Sequence, residues 1–172
     1  LHGWAVGAEF ALALITVVVV SFVVAPYGRY LRAGWGPTLL APLGWFLMEL
    51  PAVVLFALFF FSGAASFQLV PLLLLGLWQL HYLHRTFVYP LSMRFGHKRM
   101  PVLVVCLAIA FNTLNSYINA RWIGHLGTYS VDWLADPRFL FGTTLFLAGW
   151  AGNIHSDAIL RSLRDPGGTG YG

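Results

Sequence analysis

Five long apolar stretches divide this chain, and they constrain its fold more than any other feature of the sequence. A helix needs about 20 predominantly apolar residues to cross the hydrocarbon core of a bilayer. Segments close to this length occupy residues 4–24, 39–61, 69–89, 100–120 and 139–156. The pattern predicts an all-α fold, a multi-pass transmembrane helix bundle with five spans in this chain.

The low charge content also favours a lipid environment. Only 10 Lys+Arg and 6 Asp+Glu occur in 172 residues, which is far below the charged fraction of about 25% in an average soluble domain. The net charge of +4 does not indicate nucleic acid as a partner, because the basic residues stand in short clusters between apolar stretches. We therefore expect the lipid bilayer as the main partner, with no nucleic acid and no obligate protein partner.

Loop charges predict the orientation of the chain. The loops after the first, third and fifth stretches are basic, whereas the second loop is uncharged and the fourth is balanced by acids. By the positive-inside rule the basic loops are cytoplasmic and the N-terminus is outside or lumenal. Bacterial inner membrane and endoplasmic reticulum both fit this prediction. The basic residues that decide it are Arg29, Arg32, Arg94, Lys98, Arg99, Arg161 and Arg164.

An acidic residue, Glu49, lies in the middle of the second stretch. It is about 15 Å along that helix, near the centre of a hydrocarbon core about 30 Å thick. An ionised acid at this depth costs about 2.5–3.5 kcal/mol on insertion scales, so we expect a protonated donor with a functional role. Pro51 follows and removes one backbone hydrogen bond of the helix. The alternative is a carboxyl that only joins two helices.

Polar residues also recur at helical spacing on the next two stretches. The third carries Gln79, Tyr82, Thr86 and Tyr89 on one face, and Tyr82 lies within about one helical turn of the depth of Glu49. We expect these two residues to meet across helices. The fourth stretch carries Asn112, Asn115, Ser116 and Asn119 on one face, which favours helix packing or the lining of a polar cavity.

The histidines of the third stretch, His81 and His84, are spaced as a metal-binding pair would be. The sequence offers too few carboxylates nearby to complete a metal shell. We therefore predict no metal site and assign these histidines to helix ends or lipid headgroups.

The end of the fifth stretch has the chemistry of a nucleotide site. Continued as a helix, it places Asn153, Asp157, Arg161 and Arg164 along one edge, from membrane depth to the cytoplasmic surface. Amide and carboxylate groups suit ribose hydroxyls, and arginines bind phosphates bidentately. Arginines commonly follow the cytoplasmic end of a membrane span, which explains Arg161 and Arg164 but leaves Asn153 and Asp157 unexplained.

Three motifs together resemble the membrane-embedded steroid 5α-reductase family, in family order along nearly the whole chain. They are Trp45-Phe-Leu-Met-Glu-Leu-Pro51, His81-Tyr-Leu-His-Arg-Thr-Phe-Val-Tyr-Pro90, and Asn153-Ile-His-Ser-Asp157 with the following Leu-Arg-x-Leu-Arg164 and Pro166-Gly-x-x-x-Tyr171. Two shorter matches are Tyr27-Gly28-Arg29 and Asp136-Pro-Arg-Phe139.

The resemblance implies an NADPH-dependent oxidoreductase of steroid metabolism that reduces the Δ4 double bond of 3-oxo steroids, with hydride delivered to C5. It implies that Glu49 and Tyr82 are catalytic and hold the C3 carbonyl oxygen. The substrate contacts it implies are Trp45, Met48 and Phe111. The implied cofactor contacts are Tyr27, Arg94, Asn153, Asp157, Arg161, Arg164 and Tyr171.

Two departures from the family pattern bear on these expectations. Met48 stands where steroid-active members have Gln, and methionine cannot donate a hydrogen bond. The resemblance also implies seven spans, so we expect residues 1–172 to form one transmembrane catalytic domain that lacks its C-terminal part. Two alternatives remain open: a related reductase of another unsaturated lipid, such as a polyprenol or an enoyl-CoA, and a non-enzymatic transporter with a buried proton site.

Overall fold

The computed structural model describes residues 1–26, 28–92 and 97–163. In these ranges the chain is mainly helical, so the predicted all-α fold is confirmed. The long helices are α1 (His2–Phe22), α2 (Ala41–Phe61), α3 (Leu69–Leu83), α5 (Val102–Arg121) and α6 (Pro137–Ser162), and α4 (Tyr89–Ser92) is a single turn. The polar end of the fifth stretch is helical as predicted, up to Ser162.

Short elements join and extend these helices. A π-helical turn, His84–Val88, connects α3 to α4, and a second, Trp122–Leu126, follows α5. Two 3-10 turns span Gly28–Tyr30 and Val131–Ala135. Strands β1 (Thr38–Leu40) and β2 (Arg99–Pro101) pair antiparallel, with Leu39 opposite Met100. The sequence pattern did not predict this small sheet, which ties the first loop to the third beside the starts of α2 and α5.

Three helical segments are long and apolar enough to cross a membrane. They are α1, α2 and the segment Val102–Leu126, with mean hydropathies of 2.2, 2.1 and 1.6. In the described part of the chain, α3 and α6 do not meet the same measure of length and composition, although they coincide with the third and fifth apolar stretches. Three candidate spans agree with a membrane bundle, while the count of five spans and the orientation stay predictions.

The core lies between α2 and α5, which pack against each other along their length. At one end, Phe56, Phe60 and Ala120 are fully buried, and Trp78 of α3 stacks on Phe56 at 4.2 Å between ring centroids. Near the middle of α2, Met48 packs with two residues from β2 and α5, Met100 and Val105. The apolar side chains of α2 thus contact α5 from the middle of α2 to its C-terminal end.

Two side chains of α3 donate hydrogen bonds to backbone carbonyls of α2. Trp78 Nε1 donates to the carbonyl oxygen of Ala52 at 2.8 Å, and Gln79 Nε2 donates to that of Val53 at 3.0 Å. The acceptors belong to the two residues after Pro51, and α2 continues as one helix through this proline. These bonds fix the position of α3 relative to the middle of α2, where Glu49 lies.

A close backbone approach joins the end of α2 to the end of α5. A Cβ atom at Gly63 would overlap with the carbonyl oxygen of Gly124, and one at Gly124 would lie 2.7 Å from the carbonyl oxygen of Phe60. The amide of Ala65 also donates to the Gly124 oxygen at 2.9 Å. Only glycine allows two backbones this close, as is common where membrane helices pack.

The helices α1 and α6 lie at the periphery, and none of their described residues is buried. Near the start of α1, His2 Nε2 lies 3.1 Å from the carbonyl oxygen of Ile118, and its ring faces those of Tyr117 and Trp122. The half-buried residues of α1 recur at positions 2, 5, 6 and 9, which form one helical face. That face packs on α5 and ends at Glu9.

Candidate functional site

The Glu49 side chain is buried at the junction of α2, α5 and the π turn after α3. It is 7% exposed, and its two oxygens face different helices. Arg85 Nη2 lies 3.5 Å from Oε1, and Asn112 Nδ2 lies 3.4 Å from Oε2. The acid is therefore held between a cation and an amide, and a negative charge on it has a partner inside the bundle.

The asparagine on α5 joins this helix to α2 at the level of the acid. Asn112 Nδ2 donates to the carbonyl oxygen of Met48 at 2.6 Å, in addition to its contact with Glu49. About two turns further along α5, Asn119 Nδ2 donates to the backbone and side-chain oxygens of Asn115 at 2.9 and 2.7 Å. The polar face predicted on the fourth stretch therefore both packs helices and borders the buried acid.

Arg85 reaches Glu49 from the π turn, and two aromatic rings hold its guanidinium. The Cζ atom lies 4.5 Å from the ring centroid of Trp45 and 4.7 Å from that of Tyr89. These two rings also contact each other edge to face at 5.0 Å. Cation–π contacts of this kind strengthen when they are desolvated, so the aromatic pair fixes the arginine beside the carboxylate.

Tyr82 lies in the last turn of α3 and points toward the same region. Its side chain lies close enough to Asn115 and Glu49 to interact electrostatically with both. Its ring packs on that of Trp78 at 4.7 Å. The structure thus brings Glu49 and Tyr82 together across helices. We call Glu49, Tyr82, Arg85 and Asn112 the Glu49 cluster.

The predicted substrate contacts occupy three different environments. Trp45 lies at the edge of the Glu49 cluster through its contact with Arg85. The Met48 side chain packs among apolar residues of β2 and α5, so it takes part in the core. Phe111 is 50% exposed, next to Asn112 in the chain. Their roles as substrate contacts stay predictions.

The predicted cofactor residues divide into two groups. Asp157 and Arg161 of α6 are half-buried and close enough to His84 to interact with it electrostatically, whereas Asn153 is exposed. Contacts of α6 rings with the end of α3 place this helix there, with Trp150 6.2 Å from His84 and Phe146 6.4 Å from His81. The other predicted cofactor residues, Tyr27, Arg94, Arg164 and Tyr171, lie outside the described residues.

Two further features of the described residues concern polar chemistry. Among the described residues, no three histidine, cysteine or acidic side chains lie close enough together to hold a metal ion. Four buried polar atoms have no hydrogen-bond partner among them. These atoms are Gln79 Oε1, Thr86 Oγ1, Ser116 Oγ and Trp150 Nε1. Such groups are rare in native structures and mark places where a ligand or water can bind.

Several members of this region were not assigned a site role from the sequence. The sequence pattern gives Arg85 no site role, and this residue lies three positions after Tyr82, within the π turn. Helical spacing places Asn112 and Asn115 on one face but does not show which helix that face contacts. Glu9, the acidic residue of α1, is also close enough to interact electrostatically with Tyr82.

Comparisons with known proteins agree with the resemblance of the motifs. The family model described as 3-oxo-5-alpha-steroid 4-dehydrogenase matches residues 98–172. The chain is 40% identical over 167 residues to 3-oxo-5-alpha-steroid 4-dehydrogenase 1 of Bos taurus, covering 95% of this chain and 65% of the relative. It is 39% identical over 165 residues to steroid 5-alpha-reductase DET2 of Arabidopsis thaliana, covering 91% of this chain and 62% of the relative.

The chain is similar to the 3-oxo-5-alpha-steroid 4-dehydrogenase family. A third relative, the 3-oxo-5-alpha-steroid 4-dehydrogenase 1 of Macaca fascicularis, is 43% identical over 148 residues, covering 84% of this chain and 56% of the relative. The chain thus spans less than two thirds of the length of these curated relatives. The matched family region begins at Lys98 and includes α5 and α6, and therefore Asn112 and Asp157.

Proposed function

We propose that this chain is the greater part of an NADPH-dependent reductase of the Δ4 double bond of 3-oxo steroids. The observation that carries the proposal is the Glu49 cluster: a buried acid held by Arg85 and Asn112, with a tyrosine beside it. It occurs in a chain that is 40% identical to a protein named 3-oxo-5-alpha-steroid 4-dehydrogenase 1.

In this proposal the cluster binds the carbonyl end of the substrate. Reduction of an enone adds a hydride at C5 and a proton at C4, and negative charge grows on the C3 oxygen as the hydride arrives. Tyr82 donates a hydrogen bond to that oxygen. Glu49 donates a second one when its carboxyl is protonated, because an ionised carboxylate only accepts, and in that form Oε1 can still accept from Arg85. Donors aimed at a developing charge are especially effective where water is excluded.

Arg85 and Asn112 position Glu49 in the same proposal. The guanidinium cannot move freely, because Trp45 and Tyr89 hold it on the other side. Asn112 is fixed by its bond to the Met48 carbonyl and so presents its amide to Glu49 in one orientation. These contacts restrict the rotamers of the acid before the substrate arrives, which reduces the ordering that binding requires.

The residues of α6 fit the nucleotide that the family implies. Asp157 and Arg161 supply a carboxylate and a guanidinium beside the end of α3, and the buried Trp150 Nε1 is a donor without a partner among the described residues. Such groups suit ribose hydroxyls, phosphates and a carboxamide. NADPH supplies the hydride when bound. We assign Asp157 and Arg161 to its binding, together with Asn153 and the predicted contacts outside the described residues.

The proposal is tested on the full-length protein in detergent. The protein is incubated with NADPH and a panel of Δ4-3-oxo steroids, a polyprenol and an enoyl-CoA, and products are identified by mass spectrometry. We expect reduction of the steroids. Turnover of the polyprenol or the enoyl-CoA alone would refute the steroid class. Absence of any turnover together with unchanged NADPH fluorescence would refute the reductase and favour a transporter.

The role of Glu49 is tested in the same assay by Glu49→Gln. Glutamine is a weaker donor than a carboxylic acid, so we expect kcat to fall by roughly 10²-fold while NADPH fluorescence still responds to the protein. The matched control is Asp132→Asn, which neutralises an exposed acid on the Val131–Ala135 turn. Near-normal turnover of Glu49→Gln would remove this residue from the mechanism.

A further inference from the structure

A cavity of about 430 Å³ lies beside the two-stranded sheet, away from the Glu49 cluster. Residues of the first and third loops line it, and among the described lining residues none is acidic. Its basic side chains are Arg32, His97, Lys98 and Arg99. We call this the basic cavity. Four basic residues around one space without a carboxylate make it a site for an anion.

Hydrogen bonds and a ring contact hold two of these basic groups in place. Arg99 donates from Nε to Thr38 Oγ1 at 2.7 Å and from Nη2 to the Thr38 carbonyl oxygen at 2.6 Å. Arg32 donates from Nη2 to the carbonyl oxygen of Val24 at 3.1 Å, and its Cζ lies 5.8 Å from the ring centroid of Trp35. The cavity is therefore partly preorganised.

Two helices begin at this same end of the bundle. The amide of Ala41, at the start of α2, donates to the carbonyl oxygen of Lys98, and the amide of Val102, at the start of α5, donates to that of Pro37. Helix N-termini carry partial positive charge. Their positive ends add to the field of the basic side chains and favour a negatively charged ligand.

An exposed apolar stripe runs from the basic cavity along α2. Thr38 lines the cavity, and Leu40 lies two residues later on the same face of β1. The stripe continues on α2 with residues that are between a third and two thirds exposed and span about 22 Å along the helix. These residues are Leu43, Leu47, Val54 and Leu58. Their spacing of four, seven and four places them on one helical face.

We propose that the basic cavity binds the phosphate of an anionic phospholipid, whose acyl chains lie along the α2 stripe. Charge complementarity accounts for the headgroup, and the continuous apolar stripe accounts for the chains. A nucleotide shares the phosphate but has no acyl chain, so the stripe favours the lipid. The loop charges predict that this end of the bundle faces the cytoplasm. Basic residues there meet the leaflet that is rich in anionic lipids. This inference does not rest on the proposed function.

The test measures lipid retention by the full-length protein. The protein is purified in mild detergent with equal amounts of phosphatidylglycerol and phosphatidylcholine, and bound lipid is quantified by native mass spectrometry. We expect wild type to retain phosphatidylglycerol preferentially. Each basic side chain near a membrane surface contributes about fivefold in affinity, so Arg32→Gln/Lys98→Gln should reduce the preference on the order of 30-fold.

The matched control neutralises two arginines outside the basic cavity, Arg121→Gln/Arg138→Gln, and should keep the preference. An equal loss in both double variants would overturn the proposal, because general charge would then explain the retention. If the cavity double variant does not fold, the single variants Arg32→Gln and Lys98→Gln should each lose about fivefold. Unchanged retention in both of them would also overturn it.

Competition distinguishes the source of the phosphate. Inorganic phosphate and NADPH are each added in excess to the protein with bound phosphatidylglycerol. We expect neither to displace the lipid. If NADPH displaces it, and if the cavity variant loses NADPH affinity by the same factor as lipid affinity, the basic cavity is a nucleotide site and the lipid proposal is wrong.

Discussion

Replacement of Tyr82 by phenylalanine tests the proposed carbonyl contact most directly, because it removes one hydroxyl and little else. The ring of Tyr82 packs on Trp78 at 4.7 Å and on His81 at 5.0 Å, and phenylalanine keeps both contacts. Loss of the hydroxyl should lower stability by no more than about 1 kcal/mol, the contribution of one hydrogen bond. Loss of a donor to the developing oxyanion should lower kcat by roughly 10²–10³-fold, or about 2.7–4 kcal/mol.

The two effects are separated by measuring steroid reduction under saturating NADPH and unfolding in detergent on the same preparations. Tyr117→Phe serves as the control, because Tyr117 packs edge to face on Phe59 at 5.4 Å and is not part of the Glu49 cluster. We expect near-normal kcat for this control. A Tyr82→Phe enzyme that keeps kcat within threefold (about 0.6 kcal/mol) would refute the reasoning, because no transition-state donor would then have been lost.

Three further predictions concern stability and titration. Asn112→Ala breaks the bonds to Met48 and Glu49 and should lower the free energy of unfolding by about 1–2 kcal/mol in detergent; no change would mean that these bonds do not join α2 to α5. Gly63→Ala places a Cβ against the Gly124 carbonyl and should destabilise by about 1–3 kcal/mol, whereas Gly142→Ala, which meets no atom within 4 Å, should not. Hydrogen bonds from Arg138 lower the pKa of Asp136 from 3.8 to about 2. The ionised Asp136 therefore stabilises the start of α6 fully above about pH 4, and this stabilisation is lost as the pH falls through 2. Carboxyl NMR should give that midpoint, and Arg138→Gln should return it toward 3.8; an unchanged midpoint would contradict the assigned cause.

The positions of the helices could be predicted closely from hydropathy. A chain with so few charges lies mainly in lipid, where a helix pairs the backbone groups of an apolar segment with one another. The second stretch, residues 39–61, corresponds to α2 at Ala41–Phe61, and the fourth, residues 100–120, to α5 at Val102–Arg121. The first two residues of each of these predicted stretches belong to the strands β1 and β2 instead. Their pairing is a contact between distant loops, which hydropathy does not encode.

Parts of the Glu49 cluster were predictable and parts were not. Depth along a helix placed Glu49 and Tyr82 at a similar level, and helical spacing placed Asn112 and Asn115 on one face. Periodicity gives the face of a residue but not the neighbour of that face, so the contacts of Glu49 with Arg85 and Asn112 required the structure. The π turn also interrupts the period, and this hides the direction in which Arg85 points.

The π turn at His84–Val88 has a consequence for how this segment tolerates changes in length. A π turn contains one residue more than an α-helical turn, and in an α-helix one residue corresponds to about 100° of rotation. Deletion of a single residue there would restore an uninterrupted α-helix and turn Tyr89 away from Trp45, so the guanidinium of Arg85 would lose one wall of its aromatic enclosure. The segment must therefore keep this extra residue, whatever its side chain is.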